Sequence, residues 1–157
     1  MRFVGRHEHS LDVKGRIILP ARYRTNFDTL AYISKNTERC LALWTPEAFE
    51  LKLDEMQAIF DRSAQDRAMV RAWASGSTDV ELDKQGRVAI PSYLREYAHL
   101  ESAVLIHGAI SHIELWDPAE WSVRGEPGDA ELADPAGAFL SAAPGPPSAP
   151  LSPPQGE

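Results

Sequence analysis

One cysteine, Cys40, occurs in 157 residues. Its isolation excludes an intramolecular disulfide and any multi-cysteine zinc or iron–sulfur site, and suits a reducing compartment. No run approaches the roughly 18–20 consecutive apolar residues of a membrane helix, and the opening MRFVGRHEHSLD has no apolar stretch of signal-peptide length. The expectation is a cytoplasmic protein without membrane contact. Catalytic motifs are equally scarce: there is no glycine-rich phosphate loop, no Gly-x-Ser-x-Gly and no His-Glu-x-x-His. His7 and His9 lack a third ligand nearby and read as surface residues, and Cys40 beside Leu41 reads as a buried small residue. An enzyme is not expected, nor is a metal, a cofactor or a small-molecule substrate.

Basic residues are in the minority: 16 Lys and Arg against 23 Asp and Glu give a formal charge of −7. Taken whole, that figure argues against nucleic acid. The distribution argues otherwise. Residues 1–40 hold 8 basic and 4 acidic side chains, whereas residues 121–157 hold 1 and 5. Eight of the 12 prolines also lie beyond Trp121. Residues 122–157 therefore read as a disordered, Pro-rich tail that cannot bury enough apolar surface to offset its ordering entropy.

What the chain does have is an internal repeat. Ser10–Arg24, SLDVKGRIILPARYR, returns 71 residues later as Glu81–Arg95, ELDKQGRVAIPSYLR, with Leu, Asp, Gly, Arg, Pro and Arg identical. At an offset of 72, Leu43-Trp44-Thr45-Pro46 matches Leu115-Trp116-Asp117-Pro118. Units of roughly 45 residues are near the lower limit for an independent core, so the copies should pack on one another as halves of one module. In each, Leu-Asp-x-x-Gly-Arg and the apolar residues after it predict a strand, a tight turn and a second strand. Pro20 and Pro91 would start short helices over 21–27 and 92–99. Residues 31–34 with 40–44, and 103–106 with 113–116, predict two further strand pairs. Helical spacing runs through 46–73. The class is α+β, with a first domain over 1–49, a helical connector over 50–76, a second domain over 77–121 and the tail over 122–157.

The turn tips carry the chemistry. Asp12 and Arg16, or Asp83 and Arg87, face each other across a turn, where the carboxylate can cap amides and aim the guanidinium. Such an ion pair is worth little at a surface. Its repetition beside Arg2, Arg6, Lys14, Arg22 and Arg24 points further, because an aimed arginine matches guanine O6 and N7 and a two-stranded ribbon fits the major groove. The flanking arginines Arg2, Arg6, Arg22 and Arg24 are candidate phosphate contacts. Few bases can be read by one hairpin, so several tips at fixed spacing, and hence an oligomer, are part of this reading. The alternative is a β-unit for protein interaction or oligomerisation without direct base readout.

At these residues the sequence resembles the MraZ family, bacterial regulators of the division and cell-wall gene cluster. The resemblance rests on His9–Arg16 with Pro20–Arg24, on Cys40-Leu41, on Arg67–Arg71, and on Asp83–Arg87 with Leu94–Ala98 and Glu114–Asp117. It covers about residues 1–121. It implies two tandem AbrB-like swapped-hairpin units forming one pseudo-symmetric module, and a ring-like homo-oligomer associated with the nucleoid. It also implies binding to double-stranded DNA at short G-rich direct repeats, usually as a repressor. By position, Asp12, Lys14, Arg16, Asp83 and Arg87 are the implied DNA-facing residues. The second copy, with Gln85 in place of Lys14 and acidic surroundings, is expected to serve mainly in assembly. Arg2 and the tail lie outside the shared pattern.

Overall fold

The computed structural model describes residues 2–134, in two units that divide between Gly125 and Glu126. The first copy contributes β1 (Arg6–Ser10), β2 (Arg16–Ile18), α1 (Ala21–Arg24), β3 (Leu30–Lys35) and β4 (Leu41–Trp44). Two helices follow, α2 (Pro46–Phe60) and α3 (Ala64–Gly76). The second copy supplies β5 (Thr78–Glu81), β6 (Arg87–Ala89), α4 (Ser92–Tyr97), β7 (Ala103–Gly108) and β8 (Ile113–Trp116), and α5 (Pro118–Arg124) ends the unit. The second unit holds α6 (Pro127–Ala133). Among the described residues no helix is long and apolar enough to cross a membrane.

A six-stranded antiparallel sheet runs β1-β7-β8-β4-β3-β5, and β2 pairs with β6 in a separate two-stranded ribbon. The sheet order reads the same from either end once each strand is exchanged for its repeat equivalent. Two pairs mark the centre of this symmetry. Ile17 lies opposite Val88, its equivalent at the 71-residue offset, and Ala42 lies opposite Glu114, its equivalent at 72. A pseudo-twofold axis through these pairs relates the copies. The predicted pairs β3–β4 and β7–β8 are present. The strands flanking each turn, by contrast, pair with the other copy, β1 on β7 and β5 on β3. Neither copy completes its own sheet.

Burial explains this exchange. Ile17, Leu19, Val88 and Ile90 of the ribbon segments share one cluster with Ala31, Ile33, Leu41, Leu43, Val104, Ile106, Ile113 and Leu115 of the sheet's inner face. Removing this much apolar surface from water is the main favourable term in folding, and neither half presents it alone. On the outer face, Trp44, Phe49 and Ala42 pack with Tyr32 and Trp73, and Cys40, Leu105 and Trp116 pack with Trp121. Cys40 is buried, as expected.

Three expectations change. The connector begins at Pro46, because the Thr45 hydroxyl caps α2 by accepting from the Ala48 N–H at 3.2 Å, so a boundary at 49 cuts that helix. Pro20 and Pro91 stand one residue before their helices, as N-caps. The tail expected from residue 122 begins inside α5, since the Asp117 carboxylate caps a helix that runs to Arg124, and Pro127–Ala133 is helical too. Residues 135–157 lie outside the described residues.

Candidate nucleic-acid interface

The two Asp–Arg turns are built alike. Asp12 Oδ1 accepts from the Lys14 and Arg16 backbone N–H groups, both at 2.9 Å, and Oδ2 accepts from Arg16 Nε at 2.7 Å. In the second copy Asp83 Oδ1 accepts from the Gln85 and Arg87 N–H groups, both at 2.9 Å, and Oδ2 accepts from Arg87 Nε at 2.6 Å. The Arg16 backbone N–H is the largest influence holding the Asp12 carboxyl below its ordinary range, helped by the guanidinium and the Lys14 amide and opposed by desolvation. Asp83 is held down in the same way by Arg87. Both acids are ionised at neutral pH, which removes any shared-proton chemistry between them. Each carboxylate grips its arginine at Nε, on the stem side of the guanidinium.

The ribbon places both turns on one surface. Ile17 and Val88 point inward and are fully buried, so their neighbours Arg16, Ile18, Arg87 and Ala89 share the opposite face. Arg16 lies opposite Ala89 and Ile18 opposite Arg87, which makes the two arginines diagonal neighbours, about 7–8 Å apart between Cα atoms in an antiparallel ladder. Val13, Lys14, Lys84 and Gln85 are exposed at the tips.

Both turn glycines are left-handed, Gly15 at φ 73° and Gly86 at φ 77°, which a side chain would strain. They are also buried. The Gly15 carbonyl accepts from the Ile90 N–H and the Gly86 carbonyl from the Leu19 N–H, both at 2.9 Å. Over them lie Arg95 and Arg24: a methyl group on either glycine would sit 2.7 Å from the Cζ of that arginine. Arg24 Nε donates to the Leu19 carbonyl at 2.7 Å, and Arg95 Nε to the Ile90 carbonyl at 3.0 Å. Arg95 was not among the residues singled out from sequence. Its signal was present, because Arg24 and Arg95 are one of the six identical positions of the repeat.

The other flanking arginines are dispersed. Arg6 lies over the Trp121 ring at 5.8 Å, and Arg2 lines a cleft with Glu47, Leu51 and Ile110. Arg22 is exposed, with its guanidinium near Gly5. The contacts of Arg2 and Arg6 therefore belong to elements other than the ribbon. His7 and His9, read as surface residues, face the inner side of β1 through their pairing opposite Ile106 and Val104. They are half-buried, His7 edge-on to the Tyr23 ring at 5.4 Å between centroids. Among the described residues there is no group of three or more His, Cys, Asp or Glu side chains able to hold a metal.

A family model described as "MraZ protein, putative antitoxin-like" matches residues 2–72 and again 73–126. The chain is 38% identical over 132 residues to the transcriptional regulator MraZ of Cutibacterium acnes, covering 84% of this chain and 93% of that protein. It is 35% identical over 119 residues to the transcriptional regulator MraZ of Moorella thermoacetica, covering 76% of this chain and 83% of the relative. The similarly named protein of Alkaliphilus metalliredigens is 34% identical over 119 residues, with the same coverage.

Proposed function

The chain belongs to the MraZ family, and from that premise we propose that it is a transcriptional regulator that reads DNA sequence with the β2–β6 ribbon. The observation that carries this reading is the placement of two identically aimed arginines on one face of one ribbon. A two-stranded ribbon fits the major groove, and an arginine fork matches guanine O6 and N7. Fixing Nε on a carboxylate lowers the ordering cost that a free arginine would meet on binding. Lys14 and Lys84 at the tips, with Arg22, supply phosphate contacts that give salt-dependent affinity.

Both copies take part in this reading. Arg87 has the equivalent partners and shares the ribbon face with Arg16, which supports a reading role for the second copy in place of the assembly role expected from its acidic surroundings. One ribbon spans few bases, so the protein acts as a ring-like homo-oligomer whose ribbons meet successive short G-rich repeats. Its target is the division and cell-wall gene cluster, where it represses. The same reading places it at the nucleoid.

The test is binding to duplexes carrying spaced G-rich repeats and to scrambled duplexes, at two salt concentrations. Wild type discriminates between them, and Arg16→Ala and Arg87→Ala each lose roughly 1–3 kcal/mol of that discrimination with the oligomer intact. Equal binding by wild type and both variants, or no binding at low salt, overturns the reading. It would leave the ribbon as a protein-interaction surface.

A further inference from the structure

We infer that Arg24 and Arg95 are positioning residues, each holding the DNA-reading turn of the opposite repeat copy in shape. The inference rests on the ribbon being the reading surface, and it assigns these two residues a role through other residues rather than through contact with DNA.

The geometry is reciprocal. Arg95 stands in α4 of the second copy, yet its guanidinium covers Gly15, in the turn of the first. Arg24, at the end of α1 in the first copy, covers Gly86, in the turn of the second. Each guanidinium is itself fixed by its Nε hydrogen bond to the carbonyl of Ile90 or Leu19. The N–H groups of those same two residues donate to the carbonyls of Gly15 and Gly86. A turn glycine is thus held on one side by a backbone hydrogen bond and on the other by a planar cation, both from one short segment of the other copy. Gly15 directly precedes Arg16, and Gly86 directly precedes Arg87. Any tilt of the glycine peptide moves the N–H that the Asp12 or Asp83 carboxylate grips, and with it the direction of the arginine fork.

Positioning and direct phosphate contact make different demands. A lost phosphate contact weakens binding to all sequences alike and reduces the salt slope by about one. A loosened turn leaves the count of phosphates unchanged and blurs the guanine contact. The altered turn also lies in the copy that does not contain the substitution.

Hydrogen–deuterium exchange of full-length protein, read in fragments spanning 11–17 and 82–88, tests the clamp without DNA. Arg95→Ala should speed exchange in the 11–17 fragment beyond any change in 82–88, and Arg24→Ala should do the reverse. In the duplex assay each variant should lose about tenfold in discrimination, the size of one blurred bidentate contact, with the salt slope unchanged. Arg95→Lys retains the charge without the guanidinium plane, keeps the fold should the alanine variant unfold, and should remain defective. Three results each overturn the inference: exchange that rises only in the variant's own copy or nowhere, full discrimination in Arg95→Ala, or recovery by lysine. Loss of discrimination in wild type would instead sink the ribbon reading, while the exchange result would still decide the clamp.

Discussion

Asp12 satisfies three donors with two oxygens, and the division of labour sets what each substitution does. Oδ1 takes the two backbone N–H groups that shape the turn, and Oδ2 alone aims Arg16. Asp12→Asn can keep the first task through its remaining carbonyl oxygen but presents an NH2 to the Arg16 Nε donor. The expected outcome is a nearly unchanged melting temperature with a clear loss of discrimination between G-rich and scrambled duplexes, checked by thermal unfolding beside the binding assay. The carboxyl's depressed folded-state pKa makes its contribution to stability complete above the ordinary carboxylate pKa and lost as pH falls through the folded value. At this scale the sequence was legible, because Asp, Gly and Arg lie within five residues and their turn chemistry is local. Arg95 over Gly15 was not, since 80 residues separate them.

Elements were legible where their patterns are strong. The spacing over 46–73 is two capped helices, and β3, β4, β7 and β8 are short, mostly apolar runs that can be read as strands with their partners. The edge strand β1 was different. Its inner face carries His7 and His9 instead of aliphatic residues, so it lacks the apolar alternation that reports a buried side. Which strand it pairs with is a tertiary choice, settled by the shared core. Its neighbour β7 carries the buried His107, edge-on to Trp121 at 4.2 Å between centroids, with Nε2 lacking a hydrogen-bond partner among the described residues. Desolvation first, and Arg6 second, push its pKa below the ordinary histidine value. Protonation therefore favours the unfolded chain, and stability present above about pH 6.5 declines as the pH falls toward the folded value. The melting temperature should drop between pH 7 and 5.5, and His107→Gln should flatten that drop. An unchanged slope in the variant would assign the acid sensitivity to other groups.

At the scale of the molecule, the duplication gives one cooperative body within residues 2–125, because β1 and β5 each complete the other copy's sheet. A cavity in one half must be felt in both. Leu94→Ala, at a fully buried position of α4, should cost about 2–5 kcal/mol. Native-state exchange should show β1 and β3 losing protection together with β7. Loss confined to residues 77–125 would mean that the halves unfold separately. The repeat was visible in sequence, and the need for the halves to pack followed from their size. The crossing of strands between them is not legible in the repeat pattern by itself, because two unswapped halves would show the same local pattern; only the family resemblance implied a swap.

The pseudo-twofold axis through Ile17 and Val88 has a bearing on direction. Two identical chains joined about such an axis would show the same head to either side and would be confined to inverted sequences. Here the axis fails at the tips, where Val13-Lys14 on one side faces its counterpart Lys84-Gln85 on the other. On the proposed reading the ribbon therefore has a front and a back. Units of this kind can be laid along a duplex all facing one way, which is the arrangement that repeats of a single orientation demand.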